Sequence, residues 1–258
     1  MRQVAPGGAR TGGSQPTAEE MQLLFRRMRS YAPVPSHAEQ AIADMFAATE
    51  HVREYRLALR RGQHVDRTML VLEGVLCRFR DFPNGTRQIT ALYLPGDFVD
   101  LASYTLKRTD QDVLALTNCR LAIAPHSLVT EVLERCPEAQ GMLWLLSNVD
   151  ASINREWQLS LGQRSALERT AHLFCELHSR LGAIGQAAPD SFAVPMTQIE
   201  LSQCLAISSV HINRVLRELR ERNLLHFVRR RAHIADPAAL RHLAGFDPAY
   251  LHIGPVYQ

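Results

Sequence analysis

In this chain of 258 residues, positions 209 to 214 carry the side chains best suited to reading nucleic-acid bases. Ser209, Val210, His211, Asn213 and Arg214 stand there around Ile212, and Arg217 follows. A carboxamide pairs bidentately with adenine and a guanidinium with guanine, while an aliphatic side chain packs on a thymine methyl. Further on, Arg229, Arg230 and Arg231 form a cationic cluster of the kind that neutralises phosphates. From Met196 to Arg231 seven arginines oppose three glutamates, a larger positive balance than the +3 of the whole chain, so the remainder is slightly acidic. The basic charge is therefore concentrated where the base-reading residues lie.

Other chemistry is weakly represented. There is no nucleophile–base pair, phosphate-cradling Walker loop or dinucleotide fingerprint, so the sequence does not read as an enzyme. The five cysteines (Cys77, Cys119, Cys136, Cys175, Cys204) are odd in number and never closer than 17 residues apart. That spacing fits neither a disulfide framework nor a paired-cysteine metal or redox motif, and reduced thiols are expected. His172, Cys175 and Glu176 share one helix face at metal-like spacing, but a helix packing against its neighbours is by far the better reading. No metal or cofactor is assigned.

The base-reading residues need a scaffold, and the flanking sequence supplies one. Thr197 and Glu200, three apart, form a capping box that starts a first short helix. Leu201 and Leu205 on it, Ile207 in the following turn, and Ile212 and Val215 on a second helix provide the apolar contacts of a helix-turn-helix, with small Ser202 allowing close approach. Ser208 or Ser209 caps the second helix, read as about 208–222, and its first amides would point at phosphate. The turn needs a positive φ and carries Ala206 instead of glycine, at a strain of about 1 kcal/mol. Residues 224–228 and 232–235 read as two strands of a wing with the three arginines at its tip.

Upstream, residues 1–17 read as a flexible Gly/Arg/Ser/Pro tail, and their polar character does not resemble a secretory signal. Helices are expected at 18–29, capped by Thr17, and from Ser36 to about Thr49. From 52 to 124 the hydrophobic period falls to two. Strands are expected at 53–59, 68–72, 111–116 and 119–124, and a hairpin around Pro83-Asn84-Gly85-Thr86 joins 75–80 to 88–93. Many short strands separated by Gly and Pro imply a sandwich or barrel. Helices follow at 126–135, 137–162 and 165–182, then a loop at 183–194. In the long helix Met142, Leu146, Val149 and Ile153 repeat at 4, 3, 4, with Trp157 drifting off. This seam suits a partner helix or the chain's own domain, and both readings stay open. No apolar run approaches the roughly 20 residues of a transmembrane helix, and a cytoplasmic α+β protein of two domains is expected.

At this point the chain resembles the Crp/Fnr superfamily of transcription regulators over roughly residues 21–250. The resemblance is carried by Leu94-Pro95-Gly96-Asp97-Phe98, by Arg164-Ser-Ala-Leu-Glu-Arg169, and by Val210-His211-Ile212-Asn213-Arg214. It implies a cyclic-nucleotide-binding-like β-roll (a jelly roll) with flanking helices over 18–136, a dimerisation helix over 137–163 and a winged helix-turn-helix over 164–258. It further implies a homodimer on an inverted repeat of double-stranded DNA. The dimer interface is expected at Met142, Leu146, Val149, Ile153 and Trp157. Arg214 falls at the family's base-reading arginine, and Thr197 and Ser208 at phosphate-contacting positions. Gln198, Ser209, Val210, His211, Asn213, Arg217, Arg229, Arg230 and Arg231 complete the expected DNA-binding set. Val210 stands where many members carry a glutamate that reads cytosine, so the usual half-site does not transfer.

The resemblance is looser on the sensor side. Cyclic-nucleotide-binding relatives hold phosphate with a Gly-Glu pair and an Arg-Ser/Thr-Ala segment. Here Asp100-Leu101 replaces the pair, and Arg108-Thr109 is followed by Asp110 and Asp112, whose charges would repel a phosphate. Clustered N-terminal cysteines for an iron–sulfur group are lacking, and no haem ligand stands out among the 11 histidines. The effector is left unknown, and RNA polymerase is an expected partner if the protein activates. The alternatives are a winged-helix interaction module that does not read DNA, and a regulator controlled by a cyclic nucleotide.

Overall fold

The computed structural model describes residues 13–254. The described residues divide into two compact units: one comprises 13–80, 91–150 and Gly254; the other comprises 81–90 and 151–253. The expected tail at 1–17 lies outside the described residues up to position 12.

The first unit opens with α1 (Ala18–Tyr31), capped by Thr17 as expected, and Glu20 closes a capping box with it. Met21, Leu24, Phe25 and Met28 form its buried stripe. Next comes α2 (Ser36–Ala43), shorter than expected, because the chain turns at Asp44 and residues 48–52 become a strand. That strand, β1 (Ala48–Val52), pairs antiparallel with β8 (Cys119–Pro125), Ala48 opposite Ile123 and Val52 opposite Cys119. The paired ladder offers Thr49 and Val52 a fit for branched side chains that a lone helical turn does not. The remaining strands are β2 (Leu57–Leu59), β3 (Arg67–Glu73), β4 (Leu76–Asp81), β5 (Arg87–Tyr93), β6 (Phe98–Val99) and β7 (Asp112–Ala115). They form two four-stranded sheets, β1-β8-β3-β6 and β2-β7-β4-β5. A short helix, α3 (Ser103–Leu106), and then α4 (His126–Arg135) complete the roll. Met69, Val71, Leu76, Tyr93, Val113 and Leu121 fill the space between the sheets. Leu70, Leu72 and Ala122, on the opposite face, pack with α1, α2 and α4.

The Pro-Gly-Asp turn explains why its residues are needed. Gly96 has φ +84°, and a Cβ there would lie 2.9 Å from the Leu23 carbonyl oxygen, so only glycine fits. Asp97 accepts from the Leu94 amide at 2.8 Å and pairs with the buried Arg27 at 3.2 Å, which fastens the turn to α1.

The long helix α5 (Pro137–Gln163) runs through the boundary at residue 150. Its expected seam faces the chain itself. Met142, Val149 and Trp157 are buried, while Leu146 and Ile153 are half-buried. Met142 lies in the core with α1 and α2, and the Trp157 indole donates to Glu176 at 3.0 Å. Met142, Val149 and Trp157 are thus covered within the chain, whereas Leu146 and Ile153 keep part of their surface. The opposite face of α5 is the open one.

In the second unit α6 (Ala166–Gly182) starts from a capping box between Ser165 and Glu168. Phe174 on it meets Phe192 and Phe227 at ring separations of 6.4 and 5.6 Å. The expected loop at 183–194 contains β9 (Ser191–Ala193), which joins the wing as a third strand, Phe192 opposite Ala232. Helices α7 (Gln198–Cys204) and α8 (Ser209–Glu221) and strands β10 (Leu225–Val228) and β11 (Arg231–Ile234) lie where the sequence puts them. A further helix, α9 (Pro237–Ala244), capped by Asp236 with Pro237 in its first turn, packs on α6. Fully buried Glu176 accepts from Trp157, Tyr250 and Arg180 at 3.0 to 3.1 Å. His172 packs against the rings of Phe246 and Tyr250, which also meet each other, and burial together with the Arg164 charge pushes its pKa down to about 3. The face shared by His172 and Glu176 thus serves packing, with the Glu176 carboxylate already satisfied.

Candidate functional site

Thr197 caps α7, accepting from Glu200 at 3.2 Å, and Ser208 caps α8, accepting from His211 at 3.2 Å; of the two serines considered for this cap, Ser208 is the one used. Between the helices Ala206 has φ +51°, the left-handed conformation expected of it. Ala206→Gly is therefore expected to raise stability by about 1 kcal/mol, read as a shifted denaturant midpoint at unchanged slope.

The burial of α8 separates its two faces. Ile212, Val215, Leu216 and Leu219 are buried, whereas Ser209, Val210, Asn213, Arg214 and Arg217 are exposed and His211 is half-buried. The 69% exposure of Val210 is high for an aliphatic side chain without a partner. Asn213 donates to the Ser209 carbonyl at 2.8 Å, so its carboxamide must leave its own helix to pair with a base. Thr197 and Gln198 are half-buried at the start of α7. Ile199 beside them is 60% exposed and escaped the sequence reading; its place opposite buried Leu201 and Ser202 was the available signal.

Val228 pairs with Arg231, leaving Arg229 and Arg230 as a two-residue hairpin loop with φ +51° and +61°. Two positive φ values define a turn that favours Asn-Gly, and two arginines there cost strain. All three arginines, Arg229, Arg230 and Arg231, are exposed.

The sensor interior differs in character. Asp100, which stands in place of a glycine in the phosphate-binding pair, has φ +54°. Burial raises its pKa against the opposing effects of a Thr109 hydrogen bond and the Arg78 charge, while Asp110 and Asp150 add to the rise. The charges of Tyr93, Asp150, Asp110 and Asp100 act on Arg78 and favour its protonated form against the effect of burial. Arg108 is turned to the Gly62 carbonyl at 2.9 Å. The charge of Arg78 is thus opposed by the fields of Asp100, Asp110 and Asp150, which disfavours a cyclic nucleotide phosphate there. Isothermal calorimetry with cyclic AMP or cyclic GMP is expected to give no binding heat, and a micromolar dissociation constant for either would overturn this.

A capped pair of helices with a basic wing, attached to a chain that also carries a β-roll, defines a DNA-binding regulator with a sensor. The comparisons agree. The Crp-like helix-turn-helix domain family matches residues 168–243, and the cyclic nucleotide-binding domain family matches 50–136. The chain belongs to the Crp/Fnr family of transcription regulators, which are not enzymes. It is 25% identical to the transcriptional activator protein Anr of Pseudomonas protegens over 222 residues, covering 84% of this chain and 91% of that protein. It is 28% identical over 175 residues to the nitrogen fixation regulation protein FixK of Bradyrhizobium diazoefficiens, covering 67% and 72%. It is 24% identical over 243 residues to the transcriptional activator FnrL of Cereibacter sphaeroides, covering 90% and 97%. Among solved structures, FixK2 from Bradyrhizobium japonicum superposes with a TM-score of 0.71 at 19% identity, covering 78% of this chain and 98% of that one, a likeness of fold. Among the described residues no helix is long and apolar enough to cross a membrane.

Proposed function

We propose that the chain acts in the cytoplasm as a homodimer that reads an inverted-repeat DNA site, with RNA polymerase as partner where it activates. The observation that carries this reading is the exposure of Val210, Asn213, Arg214 and Arg217 on a helix whose other face is buried. Arg214 donates to O6 and N7 of a guanine, Asn213 pairs with a neighbouring adenine, and Val210 packs on a thymine methyl. Thr197, Gln198, Ser208, Ser209, His211 and Arg217 position the helix on the backbone, and Arg229, Arg230 and Arg231 neutralise phosphates beside it. The β-roll over 18–136 holds the sensor, 164–258 reads DNA, and the helix over 137–163 pairs the two copies.

The pairing face is the exposed side of α5. Trp144, Asn148, Ala151, Arg155 and Leu159 follow one another at helical spacing, about half a turn away from the stripe that the chain covers itself. Trp144 is 72% and Leu159 58% exposed, and a second copy of α5 removes both from water. A polar Asn148 within such a seam fixes the register of two helices at some cost in stability.

Selection of bound DNA from a random pool tests the reading. The expected product is an inverted repeat with half-sites about 10 base pairs apart, because a two-fold dimer presents both reading helices to one face of the duplex. Recovery of unrelated sequences, with binding that only tracks salt, would make this a non-reading module.

A further inference from the structure

Two helix starts and a helix end meet in the first unit with three metal-ligand side chains between them. His37 lies in the first turn of α2, Cys136 closes α4 and immediately precedes α5, and Glu138 lies in the first turn of α5. The His37 Nε2 is 3.5 Å from a Glu138 carboxylate oxygen, and the Cys136 Sγ is 3.7 Å from the same oxygen. All three donor atoms lie within 4.8 Å of one another. We propose that His37, Cys136 and Glu138 bind one borderline-soft divalent cation of the zinc type.

The geometry meets the requirements of such an ion. With zinc–nitrogen and zinc–oxygen distances near 2.1 Å and zinc–sulfur near 2.3 Å, tetrahedral coordination separates nitrogen from oxygen by about 3.4 Å and sulfur from oxygen by about 3.6 Å. The two observed separations of 3.5 and 3.7 Å differ from these by a few tenths of an ångström at most, a side-chain adjustment. Cys136 is 5% exposed, whereas the His37 and Glu138 side chains are 62% and 51% exposed. The thiol is thus the floor of the site and the two others its rim, which leaves an entry path and a fourth position for water.

The donor set selects the ion. Magnesium and calcium prefer oxygen ligands, whereas a thiolate with an imidazole suits zinc and its neighbours among the transition metals. Binding forms the metal–sulfur bond as the Cys136 thiol gives its proton to solvent, while the imidazole binds neutral. One thiolate and one carboxylate then balance the two positive charges, so the filled site is neutral beside the positive ends of α2 and α5. The bound ion fastens α2 to the start of α5. Without an ion the same three side chains are held by hydrogen bonds to Glu138 alone, and the experiment separates these states.

Reduced, metal-free full-length protein is titrated with Co(II) as a spectroscopic stand-in and then with Zn(II) in competition. The expected result is one ion per chain, a thiolate-to-cobalt charge-transfer band, and displacement of cobalt by zinc. Cys136→Ser is expected to abolish the band. His37→Gln and Glu138→Gln, at exposed positions that leave the core intact, are expected to weaken binding about tenfold or more, given that even outer hydrogen-bond partners of ligands act on that scale. Absence of a thiolate–cobalt band overturns the proposal. So does a band that survives Cys136→Ser, which would put the ion on another of the cysteines, and so does unchanged affinity in both rim variants.

Discussion

Trp144→Glu combined with Leu159→Glu is expected to convert the protein to a monomer and to abolish specific DNA binding in the same step. The two positions are the large exposed apolar side chains of α5, and about 22 Å of helix separates them, so the pair of substitutions loads both ends of the proposed pairing face with charge. Two like charges brought together at each end by a second copy oppose association. A single reading helix then keeps only one half-site. Specific sites are typically bound at 10⁻⁸ to 10⁻¹¹ M and non-specific DNA at roughly 10⁻⁴ to 10⁻⁶ M, so a loss on the order of a thousandfold is expected. Light scattering reads the mass and fluorescence anisotropy the affinity. Because both side chains point to solvent, the melting temperature should change little. Val149→Glu is the contrasting variant: Val149 is only 3% exposed, so its charge is buried within the chain and the melting temperature falls sharply. A Trp144/Leu159 double variant that remained dimeric would remove the pairing face from this side of α5.

Arg214→Ala and Arg230→Ala are expected to weaken DNA binding in two different ways. Arg214 stands on the exposed face of the capped helix α8, where a bidentate contact to one guanine is worth about 1 to 3 kcal/mol, or roughly 5- to 150-fold. Its loss should relax the preference at one base of each half-site and leave binding to random DNA little changed. Arg230 stands in the two-residue wing turn, and its proposed partner is a backbone phosphate. Its replacement should weaken all sequences alike and make the dependence of affinity on salt shallower by about one unit of slope. Anisotropy titrations of a selected and a scrambled site across a salt series distinguish the two. Equal losses on both DNAs for Arg214→Ala would mean that α8 docks in another rotation.

Much of the reading face was legible from contiguous residues. The capping boxes at Thr17 and Thr197, the cap at Ser208, the strained Ala206 and the apolar positions of α7 and α8 are all signals that act over three or four residues. The same is true of the Pro-Gly-Asp turn, although the contact that excludes a side chain at Gly96 comes from Leu23, more than seventy residues earlier in the chain. The hairpin at 76–93 and the helix at 126–135 were equally local. Residues 44–49, by contrast, read as a continuing helix because their strand partner, β8, lies far along the chain. Ser191–Ala193 read as loop because three residues acquire strand character only when β11 is beside them.

Sequence alone therefore determined the local elements, the family, and which face of α8 stands open. Tertiary structure decided what covers each surface. The heptad-like stripe of α5 is visible as a stripe, but its pattern does not say whether the chain or a second copy buries it. Met142, Val149 and Trp157 are buried within the chain because the remainder of the chain reaches that side first, leaving Trp144 and Leu159 exposed. His37 lies 99 positions before Cys136, and no spacing rule connects them. They meet because α2 packs in the same core as the start of α5, and the area buried there, summed over Ala38, Ile42, Ala139 and Met142, outweighs the cost of closing the long intervening loop, which grows only logarithmically with its length.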